Sequence, residues 1–249
     1  MENIMRINKY LSQHGICSRR EADRMLDAGD VTVNGKPASK GIMVSDGDEI
    51  CVKGVPVGAS PAEIVIAFHK PAGIVCTSSK KDKADTIIDY INFPERIYPV
   101  GRLDKQSTGL ILLTNNGQMT DDILRGSNYH EKEYVVTLDR EMTPSVCQAM
   151  EEGVPILDTM TRPCVITNRN GKSFHITITQ GLNRQIRRMC EYFGYRVRHL
   201  KRIRIMNIEL GDLEEGRWRY LTEEELFVLK EECSRKGHIK KTKNGVEQQ

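Results

Sequence analysis

The sequence predicts an α+β protein: a small N-terminal module followed by a larger domain built on a mostly antiparallel or mixed sheet. Two observations carry this. Runs of β-branched and apolar residues cluster with inserted helical windows, without the strict strand and helix alternation of a doubly wound sheet. The chain also contains neither GxxxxGK[ST] nor GxGxxG, so the usual cradles for ATP, GTP or NAD phosphates are missing. Its 249 residues leave room for both parts, since domains commonly run to roughly 100 to 200 residues.

The module is read first. Arg6 to Gln13 is expected to be a short helix, with Ile7, Tyr10 and Leu11 as its apolar stripe and Gly15 ending it. Ser18-Arg19-Arg20-Glu21 has the S-x-x-E form of a capping box, which predicts a second helix that buries Ala22, Met25 and Leu26 and stops at Gly29. Arg19, Arg20 and Arg24 are left facing outward. Val31 to Val33 runs into Asn34-Gly35, a strong hairpin signal, and Ile50 to Val52 follows the Ser45 to Asp48 turn as another strand. The Gly/Pro/Ser-rich stretch from Lys53 to Ala62 reads as the linker. The expected domains are therefore 1–58, 59–233 and a basic, disordered tail over 234–249 with Arg235, Lys236, Lys240, Lys241 and Lys243.

In the larger domain, strands are expected over Ile64 to Phe68, Ile74 to Thr77, Gly109 to Thr114, Glu133 to Leu138 and Phe174 to Thr179. Helical windows fall near Gln118 to Arg125, Pro144 to Glu152 and Asn183 to Phe193, and Thr222 to Glu225 caps a last helix. In the third window Ile186, Met189, Cys190 and Phe193 form the core stripe, leaving Arg184, Arg187 and Arg188 on the remaining surface. Arg196 to Ile205 then alternates like a strand. Val197, Ile203 and Ile205 are on one face and four arginines on the other, but Leu200 falls among the arginines, so it marks a bulge or an apolar residue with a target other than the core.

Composition narrows the function. Hydrophobic residues make up 39% and charged residues 29%, an ordinary globular balance. No run approaches the roughly 18 apolar residues of a membrane span, so no membrane partner is expected. Seven cysteines with no CxxC, and six histidines with no HExxH, give neither a disulfide framework nor a metal ligand set, and a reduced, cytoplasmic, metal-free protein is expected. The net charge of +3 names no partner. Yet Asn183 to Ile205 carries eight Lys or Arg against Glu191 alone, a local net of +7, which points to a polyanion.

The run from Arg6 to Ala38 resembles the S4 RNA-binding domain. The resemblance implies that Arg6, Lys9, Ser18, Arg19, Arg20, Asn34, Gly35 and Lys36 face RNA phosphates. Beyond it, Lys70-Pro71-Ala72-Gly73, GRLDKQSTGLILLTNNG (101–117), KEYVVTLD (132–139) and GLNRQIRRMCEYFGYRVRHLKRIRI (181–205) resemble, in order, the motifs of the S4-containing ribosomal pseudouridine synthases. The resemblance covers about residues 5 to 230, and its detail favours the large-subunit branch, with 23S rRNA as partner. It implies Asp104 as the catalytic carboxylate, Arg187 as its paired cation and Tyr134 as the residue stacked on uracil. It also implies Leu200 as an apolar contact to the base, Arg102 as an entrant into the RNA stack, and Arg184 and Arg188 as further substrate contacts. By its residue type and loop alone, Asp104 reads equally well as a turn residue.

That reaction needs little apparatus. The glycosidic bond breaks, the uracil turns over, and C5 replaces N1 as the bonded atom, so the leaving group is also the incoming nucleophile. No second carboxylate is required to activate water, in contrast to a glycosidase. One ionised carboxylate beside the sugar suffices if the detached base stays trapped, and a fixed cation keeps that carboxylate ionised as it is buried. A uridine in a helix or tight loop must be flipped out to reach it. No cofactor is implied, and a monomer is expected. The rival expectation is an S4-led RNA-binding assembly factor without catalysis; the same chemistry on small-subunit rRNA or tRNA is a second alternative.

Overall fold

The computed structural model describes residues 4–77 and 85–234, and the chain divides into two compact units. The smaller comprises Met1–Ile64 with the segments Phe93–Ile97 and Asn115–Gly117. Helix α1 (Ile7–Gln13) and helix α2 (Arg19–Asp27) pack through Ile7, Leu11, Ala22 and Leu26 onto Val31, Val44 and Ile50. The Ser18 hydroxyl accepts the Glu21 N–H, as the capping box requires. Strand β1 (Val31–Val33) pairs antiparallel with β2 (Lys36–Pro37) and β3 (Ile50–Val52). The β1–β2 turn places Asn34 and Gly35 at φ 50° and 75°, the left-handed pair that Asn-Gly adopts readily. Lys53 and Gly54 repeat this geometry, at φ 51° and 78°, and pair Val55–Pro56 with β3. The segment read as linker from Lys53 onward therefore begins with a hairpin, because a glycine after the strand permits the same turn.

The larger unit is a sheet with helices on both sides. Its main strands are β4 (Val65–Lys70), β5 (Thr108–Thr114), β6 (Lys132–Leu138), β7 (Val165–Asn170), β8 (Ser173–Ile178), β9 (Val197–Ile205) and β10 (Trp218–Tyr220). They lie in the order β7-β8-β6-β9-β5-β4-β10. Only the β9/β5 pair is parallel, which makes the sheet mixed and mostly antiparallel. Helix α3 (Gly117–Leu124) buries Met119 and Ile123 against Val65, Ala67, Leu110 and Leu112 of the sheet. Helix α4 (Pro144–Glu152) starts at Thr143, whose hydroxyl accepts the Val146 N–H, with proline in the first turn. Helix α5 (Gln185–Tyr192) buries Ile186, Met189 and Cys190. Helix α6 (Glu223–Ser234) opens on a reciprocal capping box between Thr222 and Glu225.

Two expectations change. Ile74 to Thr77 forms no strand; only Val75 bridges to Thr86, because the Pro71-Ala72-Gly73 turn precedes it and the Cys76 sulfur engages another loop. The helix through Ser234 takes in the residue where the tail was expected to start, while Arg235, Lys236, Lys240, Lys241 and Lys243 lie outside the described residues.

Candidate active site

The GRLD loop leads into β5 and is anchored from several directions. The Val100 N–H donates to the Leu112 carbonyl, Leu103 N–H to the Cys76 sulfur at 3.4 Å, and Ser107 N–H to the Asp104 carbonyl at 3.0 Å. Beneath it lies Lys70, whose side chain is fully buried. Its ammonium donates to the carbonyls of Pro71 (2.7 Å), Ser107 (2.9 Å) and Lys105 (3.3 Å), tying the end of β4 to the turn that carries Asp104. Burial pushes this amine below its ordinary lysine value, against an upward pull from Cys76, Glu215 and Asp104. Burial likewise raises the Cys76 thiol, so it stands as a hydrogen-bond acceptor and not as a nucleophile.

Asp104 is half-buried and meets the start of α5. Its Oδ2 lies 3.5 Å from Arg187 Nε and 3.7 Å from Arg184 Nη1, ion-pair distances longer than a hydrogen bond. Helix periodicity puts Arg187 on the surface, but it is only 8% exposed. Its stem runs under the loop, where Nη1 donates to the Val197 carbonyl at 3.1 Å and Nη2 to the Ser107 hydroxyl at 3.4 Å. The same serine thus touches the cation, and its carbonyl the buried lysine. Arg188 turns back to the Asn183 carbonyl at 3.1 Å and is only partly exposed. Arg184 and Arg102 are exposed at the site's rim.

The floor of the site is one face of the sheet. Tyr134 pairs with Ile176 and Arg202, and Val136 pairs with Leu200. The β6/β9 register slips twice, between Glu133 and Tyr134 and between Thr137 and Leu138, leaving Ile203 and Arg198 without direct partners. Between the two slips Leu200 is regularly paired with Val136, and it lines the same cleft as Tyr134. Leu200 and Tyr134 are 7% and 8% exposed and line a cleft of about 100 Å³ with Asp104, Ile178, Leu182 and Ile186.

Lys70, Ser107, Lys132 and Arg202 also belong to the site, with no role assigned to them by the motifs. Strand alternation puts Arg202 on the arginine face of β9, yet it is 3% exposed. Its Nε donates to the Leu110 carbonyl at 2.7 Å, and Nη1 lies 3.5 Å from the Tyr134 hydroxyl. The signal was present: Arg202 is two residues from Leu200 on a strand, so whatever buried one would bury the other. In the smaller unit Arg6, Arg19, Arg20, Gly35 and Lys36 are exposed and Lys9 partly so. Ser18 and Asn34 are exposed as well and also bonded locally: Ser18 caps α2, and Asn34 donates to Asp48 at 2.8 Å and accepts from the Glu49 N–H at 2.9 Å.

A half-buried carboxylate within ion-pair distance of two arginines, on the wall of a cleft that Tyr134 and Leu200 line, can hold a nucleobase and attack or deprotonate its sugar. The sequence model of RNA pseudouridylate synthases matches residues 64–192, and that of the S4 domain residues 5–50. The Dual-specificity RNA pseudouridine synthase RluF of Escherichia coli (strain K12) is 49% identical over 230 residues, which cover 92% of this chain and 79% of that one. The Ribosomal large subunit pseudouridine synthase B of Bacillus subtilis (strain 168) is 31% identical over 233 residues, 90% of this chain and 95% of that one. A solved structure described as a pseudouridylate synthase matches with a TM-score of 0.67 and 28% identity, covering 90% of this chain and 99% of its own. The chain belongs to the RNA pseudouridylate synthase family and is an isomerase that forms pseudouridine in RNA.

Proposed function

We propose that the chain isomerises a specific uridine of ribosomal RNA, with 23S rRNA as substrate, through Asp104. The observation that carries this reading is the Asp104 carboxylate, 3.5 Å from the buried Arg187 and on the wall of the 100 Å³ cleft floored by Tyr134 and Leu200. A flipped uracil lies in that cleft against Tyr134, with its ribose toward Asp104. The N1–C1′ bond breaks, the base turns while trapped, C5–C1′ forms, the proton on C5 leaves and N1 gains one, so atoms and charge balance without a co-reactant. Arg187 pairs with Asp104 and orients it; Arg102, Arg184 and Arg188 face the strand that delivers the base. Residues 1–58 act as a targeting module through Arg6, Lys9, Arg19, Arg20 and Lys36, with Ser18, Asn34 and Gly35 shaping the surface, and residues 59–233 carry the reaction. The ribosomal large-subunit activity in the name of the Bacillus subtilis relative supports 23S rRNA.

The test uses transcripts of 23S and small-subunit rRNA labelled with tritium at uridine C5, because only C5 loses its hydrogen. The wild-type chain is expected to release tritium from the 23S transcript. Asp104→Asn should abolish release while keeping RNA affinity within a few fold. Turnover in that variant would remove Asp104 from the mechanism, and release from the small-subunit transcript alone would reassign the substrate.

A further inference from the structure

Two cavities open on Asp104, and one base occupies only the smaller. The larger, of about 460 Å³, shares Asp104 and Tyr134 with the 100 Å³ cleft and continues along the sheet face to Lys132 and Arg202, bounded by Arg125, His130 and Gln180. That volume falls within the roughly 300 to 1,000 Å³ of ligand pockets. Its walls carry five Lys or Arg, and Asp104 is the one carboxylate among the lining residues.

The two cations on the floor rest on neutral oxygens. Lys132 Nζ donates to the His130 carbonyl at 3.2 Å, and Arg202 Nε to the Leu110 carbonyl. Arg202 Nη2 and His130 Nε2 are buried with no hydrogen-bond partner among the described residues. Burial and then the neighbouring Arg202 push the Lys132 amine down to about 8. Donors are in excess over acceptors here, and a buried charge without an opposite charge is costly. The missing component is an acceptor-rich, negatively charged group.

We infer that this larger lobe is a second nucleotide subsite, which receives the nucleotide adjoining the target uridine in the same RNA strand and meets its phosphate and base oxygens with Lys132 and Arg202. The shared wall argues for the same strand: with Arg102, Asp104, Tyr134 and Arg184 lining both lobes, the nucleotide next to a uridine held in the cleft reaches the larger lobe directly. Tyr134 then divides two unstacked nucleotides, and Arg125 guards the outer rim. The inference rests on the reading of the Asp104 cleft as the uridine site.

The test is a cycle between protein and RNA. A stem-loop from the tritium-releasing transcript is made intact and with an abasic residue at each neighbour of the target. These are assayed with wild type, Lys132→Met and the exposed Arg125→Gln, the second of which leaves the buried floor intact. Lys132→Met is expected to raise the half-saturating RNA concentration about tenfold, as loss of a charge-assisted hydrogen bond does, and Arg125→Gln by about threefold. An abasic neighbour should weaken the wild type by a similar factor and add little to either variant. Equal abasic penalties in wild type and both variants, or an unchanged half-saturation, would overturn the subsite while leaving the Asp104 assignment standing. A wild type with no turnover on rRNA would instead remove the parent reading and this one with it.

Discussion

Gly109→Ala is expected to disrupt both the sheet and the site. Gly109 lies at φ 103°, a backbone region that side chains disfavour, and faces Arg202 across the one parallel strand pair. An alanine Cβ there would sit 2.2 Å from the Arg202 carbonyl oxygen and 2.6 Å from its nitrogen. Both are backbone atoms, so relief requires β5 and β9 to separate by more than 1 Å. The backbone strain costs about 1 to 3 kcal/mol, the overpacking about 1 to 3 kcal/mol, and loss of the buried Arg202 to Leu110 hydrogen bond about 1.5 kcal/mol or more. A total of roughly 3.5 to 7.5 kcal/mol is a large fraction of the roughly 5 to 15 kcal/mol that holds a protein folded. In a chain of this size it should lower the thermal midpoint by about 7 °C or more. Calorimetry and urea titration read the stability, and tritium release reads the consequence for Tyr134, which lies beside Arg202. A midpoint within about 2 °C of wild type, with normal turnover, would show that the close approach does not constrain the sheet and would refute the reasoning.

Lys70→Met should leave three carbonyls around the GRLD turn without their donor; at about 1 kcal/mol each the midpoint falls by roughly 6 to 12 °C. Turnover should fall with it, in contrast to Asp104→Asn, whose midpoint stays near wild type. Lys132, at about 8 in the free protein, predicts a pH effect of definite sign. Its folded value is depressed, so the charged form disfavours folding at low pH and this group's penalty is relieved as pH rises through about 8 towards the ordinary value. RNA needs the charged form, so affinity should decline above about pH 8, and the decline should be absent in Lys132→Met. Arg19 and Arg20 changed together to Ala should weaken RNA binding and reduce the slope of log affinity against log salt by about 1.4 to 1.8; an unchanged slope would remove that helix from the interface.

How much could be read in advance depended on whether the cause was local. Thr143 with Pro144, Thr222 with Glu225 and Asn34 with Gly35 each fix their element through bonds within a few residues, so these boundaries were visible in the string. Ile74 to Thr77 has strand composition, but its fate is set by the preceding turn and by the Leu103 N–H that reaches Cys76 from another loop. Strand β7 was missed because Val165–Asn170 lies exposed at the sheet edge and shows no apolar alternation. The motif residues Asp104, Tyr134, Arg187 and Leu200 could be named together; Asp104, Tyr134 and Leu200 line one cleft, and Arg187 lies 3.5 Å from Asp104 behind it. The cations beneath them could not be assigned, since Lys70 and Arg202 are held by carbonyls of segments distant in sequence.

The distribution of charge follows from the same distinction. The +7 stretch from Asn183 to Ile205 looks like a uniform basic face, yet three of its eight cations work inside the protein. Arg187 anchors the GRLD turn, Arg202 joins β9 to β5, and Arg204 pairs at 3.0 Å with both Glu131 and Glu133. Those carboxylates hold Arg204 in place, and Glu133 in turn is kept below the usual carboxylate range by His175 and Arg204 against the opposing effect of burial. Arg204 is itself partly exposed but neutralised by those two carboxylates; Arg184, Arg188, Arg196, Arg198 and Lys201 are the other cations left at least partly exposed. Release of counterions counts only charges that reach phosphate, so this segment contributes at most five to the salt dependence of RNA binding. The dense basic run therefore does two jobs: its internally bonded members, Arg187, Arg202 and Arg204, fix the geometry in which a single carboxylate acts, and the remaining ones bring the strand to it.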